Sequence, residues 1–341
     1  MKKDILSLTL DELCLDMEQS GEKKFRAKQI YEWLHIKRVH NFEEMSNLSS
    51  TFRTKLSEKY CINRIKIVRK LESAIDNTVK YLYELSDGNH IESVVMEYRH
   101  GNSLCISTQV GCKMGCNFCA STIAGFKRHL TTSEMLLQVY EAEKNSGKHI
   151  DSIVLMGIGE PLDNFDNVIK FLQMISYKIG KNLSLRHVSL STCGLVDKIY
   201  ELAEYRFGLT LSISLHATTD DKRSAIMPVN NKYNISELLI ACKDYINKTG
   251  RRISFEYAVI HGINDTESDA AELVKLLRGM NCHINLIPVN EIKERNYHSN
   301  KNALFTFQNI LEKNGLNATI RRTLGSDIDA ACGQLRREYE L

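Results

Sequence analysis

The chain has 341 residues, 43% of them hydrophobic and 26% charged, with three prolines and a formal net charge of +3. That length accommodates two or three domains, or one large α/β barrel with a small appendage, and the composition excludes a disordered polymer. No apolar run reaches the roughly 18 residues of a membrane helix, no signal-peptide pattern opens the sequence, and the net charge is too small to argue for nucleic acid by itself.

Ten cysteines without an export signal fit a reducing cytoplasm, with thiols used for chemistry. Residues 1–70 carry 15 Lys and Arg against 10 Asp and Glu, a weakly basic stretch that suits either RNA docking or a solvated surface. Thr9 with Glu12 forms a capping-box pattern ahead of Leu13 and Met17. A second helix is expected over 25–35 with Ile30, Trp33 and Leu34 inward, and Phe42, Met45, Leu48, Phe52 and Leu56 continue at helical spacing to Tyr60. Residues 1–60 therefore read as a small helical domain that packs on the rest of the chain.

From residue 61 the pattern changes. Ile65, Ile67, Val79, Tyr81, Tyr83 and the run Ile91–Met96 read as strands, with Ser86-Asp87-Gly88-Asn89 as a turn, so 61–100 is expected as a small antiparallel β extension. Glu92 reads, on the residues alone, as an edge-strand carboxylate. Beyond 100, strands are expected at 104–110, 151–156, 186–191, 209–215, 253–260, 282–288 and 317–321, with helices between them. This alternation predicts an α/β core over 101–341, a partial (βα)6 TIM-like barrel with a wide lateral mouth and function at the C-terminal strand ends.

The first of those ends carries Cys112-x3-Cys116-x2-Cys119, held on a loop by Gly111 and Gly115. Three thiolates fit an iron–sulfur cube with one open iron better than a four-ligand zinc site, although zinc with a distant fourth ligand, and cysteines without metal, stay open on the residues alone. Gly157, Gly159 and Glu160 follow the second strand, Ser191 ends the third, Ser214 and His216 end the fourth, and Asn290 follows the sixth. Together they describe a polar cleft able to take a small molecule with an amine and a carboxylate. Cys105 and Cys332 read as buried packing thiols when seen alone, and Cys14, Cys61, Cys193, Cys242 and Cys282 as packing too.

The cysteine spacing resembles the signature of the radical S-adenosylmethionine superfamily. Over essentially its whole length the chain resembles the RlmN family within it, the dual-specificity adenine C2 methyltransferases of 23S ribosomal RNA and transfer RNA. The stretches that carry this are Leu104–Cys112, Met156–Pro161, Ser212–His216, Ile284–Pro288 with Asn290, and Asp327–Leu335. The stretch Ala120–Phe126 departs from the shorter form of that family.

The resemblance implies a radical SAM enzyme with a [4Fe-4S] cluster on Cys112, Cys116 and Cys119, and S-adenosyl-L-methionine bound by Gly159, Glu160, Ser191, Ser214, His216 and Asn290. It implies further that Cys332 carries the methyl group as S-methylcysteine, that Cys105 releases the RNA adduct through a transient disulfide with Cys332, and that Glu92 accepts the C2 proton. Two S-adenosylmethionine molecules would be consumed per turnover, because C2 of adenine is electron-poor and resists polar methyl transfer. Implied partners are 23S rRNA and tRNA, a low-potential electron donor such as flavodoxin or ferredoxin, and a thiol reductant; a cytoplasmic monomer is expected. The related C8-adenine methyltransferases that confer antibiotic resistance are the nearest rival. Val110, where those relatives carry cysteine, favours C2. A zinc-containing RNA-binding scaffold without catalysis is the rival of another class. Lys23, Lys24, Arg26, Lys28, Lys127, Arg128, Arg321 and Arg322 form the candidate phosphate surface.

Overall fold

The computed structural model describes residues 2–290, 292 and 294–336. Helix α1 (Leu10–Gln19) begins at the capping box: Thr9 accepts from the Glu12 amide and Glu12 returns the bond. Helix α2 (Lys24–His35) buries Ile30, Tyr31, Trp33 and Leu34. The Trp33 indole N–H donates to Asn47 Oδ1 at 2.6 Å, which satisfies its one polar atom within the helical region. The helical spacing from Phe42 to Tyr60 does not make one helix. A 3-10 turn at Phe42–Glu44 precedes α3 (Ser50–Lys59), whose start is set by the Ser49 hydroxyl accepting from the Phe52 amide.

Ten strands form one sheet among the described residues, and their order in space is their order along the chain. They are β1 (Ile65–Glu72), β2 (Val79–Leu85), β3 (His90–Tyr98), β4 (Gly101–Cys105), β5 (Ser152–Leu155), β6 (Val188–Thr192), β7 (Thr210–Ser214), β8 (Ile253–Val259), β9 (Cys282–Pro288) and β10 (Ala318–Ile320). Strands β1 to β4 pair antiparallel and β4 to β10 pair parallel, so the antiparallel extension is continuous with the core sheet. Each parallel step is crossed by at least one helix: α4 (Thr132–Ser146), α5 (Phe165–Ser176), α6 (Val196–Glu204), α7 (Asp220–Ile226) with α8 (Ile235–Thr249), α9 (Glu267–Leu277) and α10 (Lys301–Lys313). The result is six strand-helix units closed by a seventh parallel strand. Because the order stops at β1 on one side and β10 on the other, the barrel stays open.

Alternation along the parallel strands separates two surfaces. Leu190, Ile213, Phe255 and Leu286 are fully buried, whereas Ser191, Ser214, Glu256 and Ile287, each one residue on, border a cleft. The helical N-terminal region is tied to this body through α4: His35 Nδ1 lies 3.0 Å from the Tyr140 hydroxyl, and Arg38 pairs with Glu143 at 2.7 Å. Among the described residues no helix is long and apolar enough to cross a membrane.

Candidate functional site

An open cleft of about 170 Å3 lies at the C-terminal ends of the parallel strands. Its wall brings together Cys112, Cys116 and Cys119 from the loop after β4, Gly159 and Glu160 after β5, and Ser191 on β6. Ser214 and His216 from β7, Asn290 after β9 and Cys332 from the segment after β10 complete it. Glu92 and Cys105 stand outside this wall.

Two glycines set the cleft's floor. A Cβ on Gly157 would lie 2.6 Å from the Ile106 carbonyl oxygen, and one on Gly159, whose φ is +108°, would lie 2.5 Å from the Gln109 Cβ. Glycine thus lets the end of β5 close on the segment after β4. Glu160 follows, buried, with one carboxylate oxygen accepting from the Leu162 amide at 3.0 Å and the other from the Cys193 amide at 2.7 Å. Burial raises its pKa, while those N–H donors pull the other way.

His216 has a left-handed backbone, φ +56°. Its Nδ1 accepts from the Ala258 amide at 2.8 Å, which places the ring proton on Nε2. Burial lowers its pKa to about 3, so the ring is a neutral donor. The Phe118 ring meets it edge-on, with centroids 4.9 Å apart.

Residues 325–336 form a strap over the sheet. Asp327 accepts from the Ser73 hydroxyl at 2.7 Å and the Ala74 amide at 2.8 Å, and the Gly325 amide donates to Asp76 at 3.0 Å. On the other side the Ala120 amide donates to the Gly333 carbonyl at 2.8 Å, Ser121 to the Leu335 carbonyl at 2.8 Å, and Asn290 Nδ2 to the Cys332 carbonyl at 3.0 Å. Cys332 is thereby fixed between the cleft and a second, smaller cavity that contains Cys105. Both are free thiols. Burial pushes the Cys105 thiol up to about 12, with Cys332 adding to the rise and Arg321 opposing it.

Glu92 stands on β3, flanked by β2 and β4, so it is not the edge residue its sequence context suggested. Its carboxylate is 3.1 Å from Lys80 Nζ and accepts from the Arg336 amide of the strap at 2.8 Å. Burial raises its pKa, and Lys80 opposes that rise.

The sequence and fold can be set beside known proteins. Residues 3–62 match the ribosomal RNA large subunit methyltransferase N-terminal domain, and residues 106–277 match the radical SAM superfamily. The probable dual-specificity RNA methyltransferase RlmN of Lachnoclostridium phytofermentans is 56% identical over 339 residues, covering 99% of this chain and 95% of that protein. Its namesake in Clostridium perfringens (strain SM101 / Type A) is 55% identical over 338 residues, covering 99% and 97%. The crystal structure of a radical SAM methyltransferase from Sphaerobacter thermophilus superposes with a TM-score of 0.92 at 38% identity, covering 98% of this chain and 100% of that one. The chain belongs to the RlmN family.

The [4Fe-4S] cluster expected for an RlmN-family protein is corrected by the geometry. Although Cys112, Cys116 and Cys119 border one cleft, no group of three or more His, Cys, Asp or Glu side chains among the described residues is arranged to hold a metal ion. Burial pushes the Cys112 thiol up to about 12 and raises those of Cys116 and Cys119 as well. Without a metal all three are neutral S–H groups near pH ~7, and a metal would have to displace their protons on binding. The absence of such a donor group among the described residues bears equally on the zinc alternative.

Other residues gain a place that sequence alone did not give them. Arg223 is fully buried and donates to the carbonyls of Cys193 at 2.7 Å, Ser214 at 3.1 Å and Leu215 at 3.1 Å, binding the ends of β6 and β7 together. Cys193, read as packing, also lines the cleft and holds Glu160 through its amide. Arg321, assigned to the phosphate surface, instead borders both cavities, and Arg128 is taken up by Asp87 at 2.6 Å and Glu134 at 2.8 Å. Nothing in the local sequence around Arg223 or Arg321 separates either from a solvated surface charge.

Proposed function

We propose that this chain is a methyltransferase that modifies C2 of adenine in RNA, with 23S rRNA and tRNA as substrates and S-adenosylmethionine as methyl donor. The observation that carries the reading is the position of Cys332, a free thiol shared by a polar strand-end cleft and a second cavity that contains another thiol, Cys105. The relatives named as dual-specificity RNA methyltransferases support the choice of substrate.

In this reading Glu160 receives the donor's amine, and the Nε2–H of His216 and the Ser191 and Ser214 hydroxyls serve its polar groups. Gly159 leaves room for the donor beside the backbone, and Asn290 holds the strap that closes over it. Cys332 takes the methyl group. A second donor molecule, cleaved with one electron from an external low-potential donor, removes a hydrogen atom from that S-methyl group, and the carbon bonds to C2 as the electron and the C2 proton leave. Cys105 then attacks the Cys332 sulfur, breaking its bond to that carbon, which takes a proton. An external thiol reductant restores both thiols from the disulfide. Glu92 accepts the C2 proton, which requires the strap to shift, since its carboxylate is engaged by Arg336 and Lys80.

Nucleoside mass spectrometry of RNA methylated by the protein, beside C2- and C8-methyladenosine standards, tests this. The C2 product is expected in both RNA classes. A C8 product would assign the chain to the alternative chemistry, and no methylated adenine in either RNA would end the proposal.

A further inference from the structure

An ion pair lies beneath the strap. Lys80 on β2 stands opposite Val94, and Glu92 on β3 stands opposite Leu82, so the two charged residues project from one face of their hairpin. Each side chain is 8% exposed. The same face carries Val94 and Met96, which pack with Cys105 against Ala330 and Leu335 of the strap. Lys80 Nζ lies 3.1 Å from Glu92 Oε1 and donates to the Asp329 carbonyl at 3.1 Å, while the Arg336 amide donates to Glu92 Oε2 at 2.8 Å. Asp329 precedes Cys332 along the strap and Arg336 follows it, so the strap meets this pair on both sides of the methyl-carrying sulfur. We propose that Lys80 is a positioning residue for proton removal from C2 of adenine, the contact that holds the Glu92 carboxylate in place once the strap lifts. The inference rests on the reading of Glu92 as proton acceptor.

The two contacts of the carboxylate belong to different parts of the molecule. The Arg336 amide is part of the strap and leaves with it when a base comes to Glu92. Lys80 is part of β2, which is paired on both sides in the sheet, and it stays. The Glu92 backbone stays too, because its carbonyl accepts from the Ser107 hydroxyl at 2.6 Å. The Arg336 guanidinium does not substitute for Lys80, since Glu294 engages it at 2.7 Å. Among the described residues Lys80 is the one side-chain cation within ion-pair distance of Glu92.

A glutamate without a partner samples several rotamers, and a buried carboxylate without one is kept neutral by desolvation and cannot take a proton. Packing alone does not call for the pair. Buried ion pairs add little net stability, and Lys80 interrupts the otherwise apolar run of Val79, Tyr81, Leu82 and Tyr83. The strap does not depend on Lys80 either: Asp327 is held by Ser73 and Ala74, Gly325 by Asp76, Cys332 by Asn290 and Leu335 by Ser121. Methyl loading of Cys332 and proton removal therefore separate in a Lys80 variant.

In the step served, the C2–H bond breaks, its proton passes to a Glu92 oxygen and its electron pair stays on the ring. The ring's surplus electron returns to the oxidised external donor. Lys80 keeps its own protons throughout.

Three measurements on the full-length protein test this. S-adenosylmethionine alone reports methyl loading of Cys332 by peptide mass spectrometry. Adding RNA, with dithionite as one-electron donor, reports methyladenine by nucleoside mass spectrometry, and RNA deuterated at adenine C2 reports proton removal. Lys80→Met is expected to load Cys332 to within about twofold of the unaltered protein. It should form methyladenine about 100-fold more slowly, and deuterium should slow it more than it slows the unaltered protein. Lys80→Arg, which keeps the cation, should recover the rate to within about tenfold. The proposal is overturned if Lys80→Met forms methyladenine at the unaltered rate, fails to load Cys332 or gains no sensitivity to deuterium, or if Lys80→Arg is no faster than Lys80→Met. Should Lys80→Met not fold, Lys80→Gln, which keeps a donor for the Asp329 carbonyl, is read against the same outcomes. Glu92→Gln separates the two assignments. Retained methylation in Glu92→Gln sinks the proton-acceptor reading itself, whereas loss there with none in Lys80→Met sinks Lys80 alone.

Discussion

At His216 a left-handed backbone and one accepted N–H from Ala258 hold a neutral ring in the cleft wall, and at His35 the same depression of pKa to about 3 arises from burial beneath α4. Both rings would take a proton in the unfolded chain near pH ~6.5 but not in the folded one until about pH 3. The histidine contribution to stability is therefore complete above pH ~6.5 and is lost as pH falls toward ~3, at about 1.4 kcal/mol per pH unit for each ring. Glu92 and Glu160, whose pKa values are raised, act in the opposite direction, so a difference measurement is needed. Urea unfolding of the unaltered protein and of His35→Phe, stepped between pH ~4 and ~7, should give a gap that changes by about one proton's slope. A constant gap would remove His35 from the linkage. Cys332→Ala should abolish adenine methylation, by a factor of at least ~1,000, in nucleoside mass spectrometry; persisting methylation would dismiss the carrier role.

Residue-level legibility followed from how local the signal is. The Thr9–Glu12 capping box and the three-cysteine spacing are contained in a few consecutive positions, and the residues of the polar cleft were named from strand ends alone. Glu92 could not be placed that way, because Arg336, whose amide engages its carboxylate, comes from the strap.

Strand β5 and the turn after it show how an element makes room for a site. At Gly157 and Gly159 an added Cβ meets backbone or the Gln109 side chain below 3 Å, and at Gly159 the positive φ adds strain. Gly157→Ala and Gly159→Ala should each destabilise by about 1–3 kcal/mol, read as a lowered urea midpoint. The stronger expectation is weaker binding of S-adenosylmethionine in titration calorimetry, since Glu160 moves with this turn. Unchanged midpoint and affinity would mean that the segment after β4 yields freely. Periodicity placed β8 and β9 closely, Ile253–Val259 against 253–260 and Cys282–Pro288 against 282–288. It failed between Phe42 and Tyr60, where an Asn41 cap and a Ser49 cap divide what spacing made continuous. Pairing of β3 with β4 was equally hidden, because the register Val94 to Cys105 depends on contacts rather than pattern.

For the molecule as a whole, Arg128 and Arg321 drop out of the expected phosphate surface, which leaves Lys127 and Arg322, both exposed, and the helical set. Lys24 pairs with Glu18 at 3.1 Å and Lys28 with Glu32 at 3.9 Å, but all four side chains are largely exposed, so these pairs give way readily to a polyanion. Replacing Lys23, Lys24, Arg26 and Lys28 by glutamine should weaken RNA binding and flatten its salt dependence by about 0.7 in log–log slope for each phosphate no longer neutralised. Filter binding across a salt series checks this, and an unchanged slope would move the RNA surface elsewhere.

The coincidence of strand order with chain order also bears on how the protein is made. A sheet in which each new strand pairs with the one synthesised just before it can grow outward from β1 as the polypeptide emerges, without waiting for a distant partner. The strap breaks that rule, running from beyond β10 back to Ser73, Asp76, Lys80 and Glu92 at the opposite side of the sheet. Most of the cleft can therefore take shape on the nascent chain, but Cys332 arrives only when the later-made strap reaches back to the earlier-made hairpin. The sulfur of the proposed methyl carrier is thus a late arrival at a cleft already built.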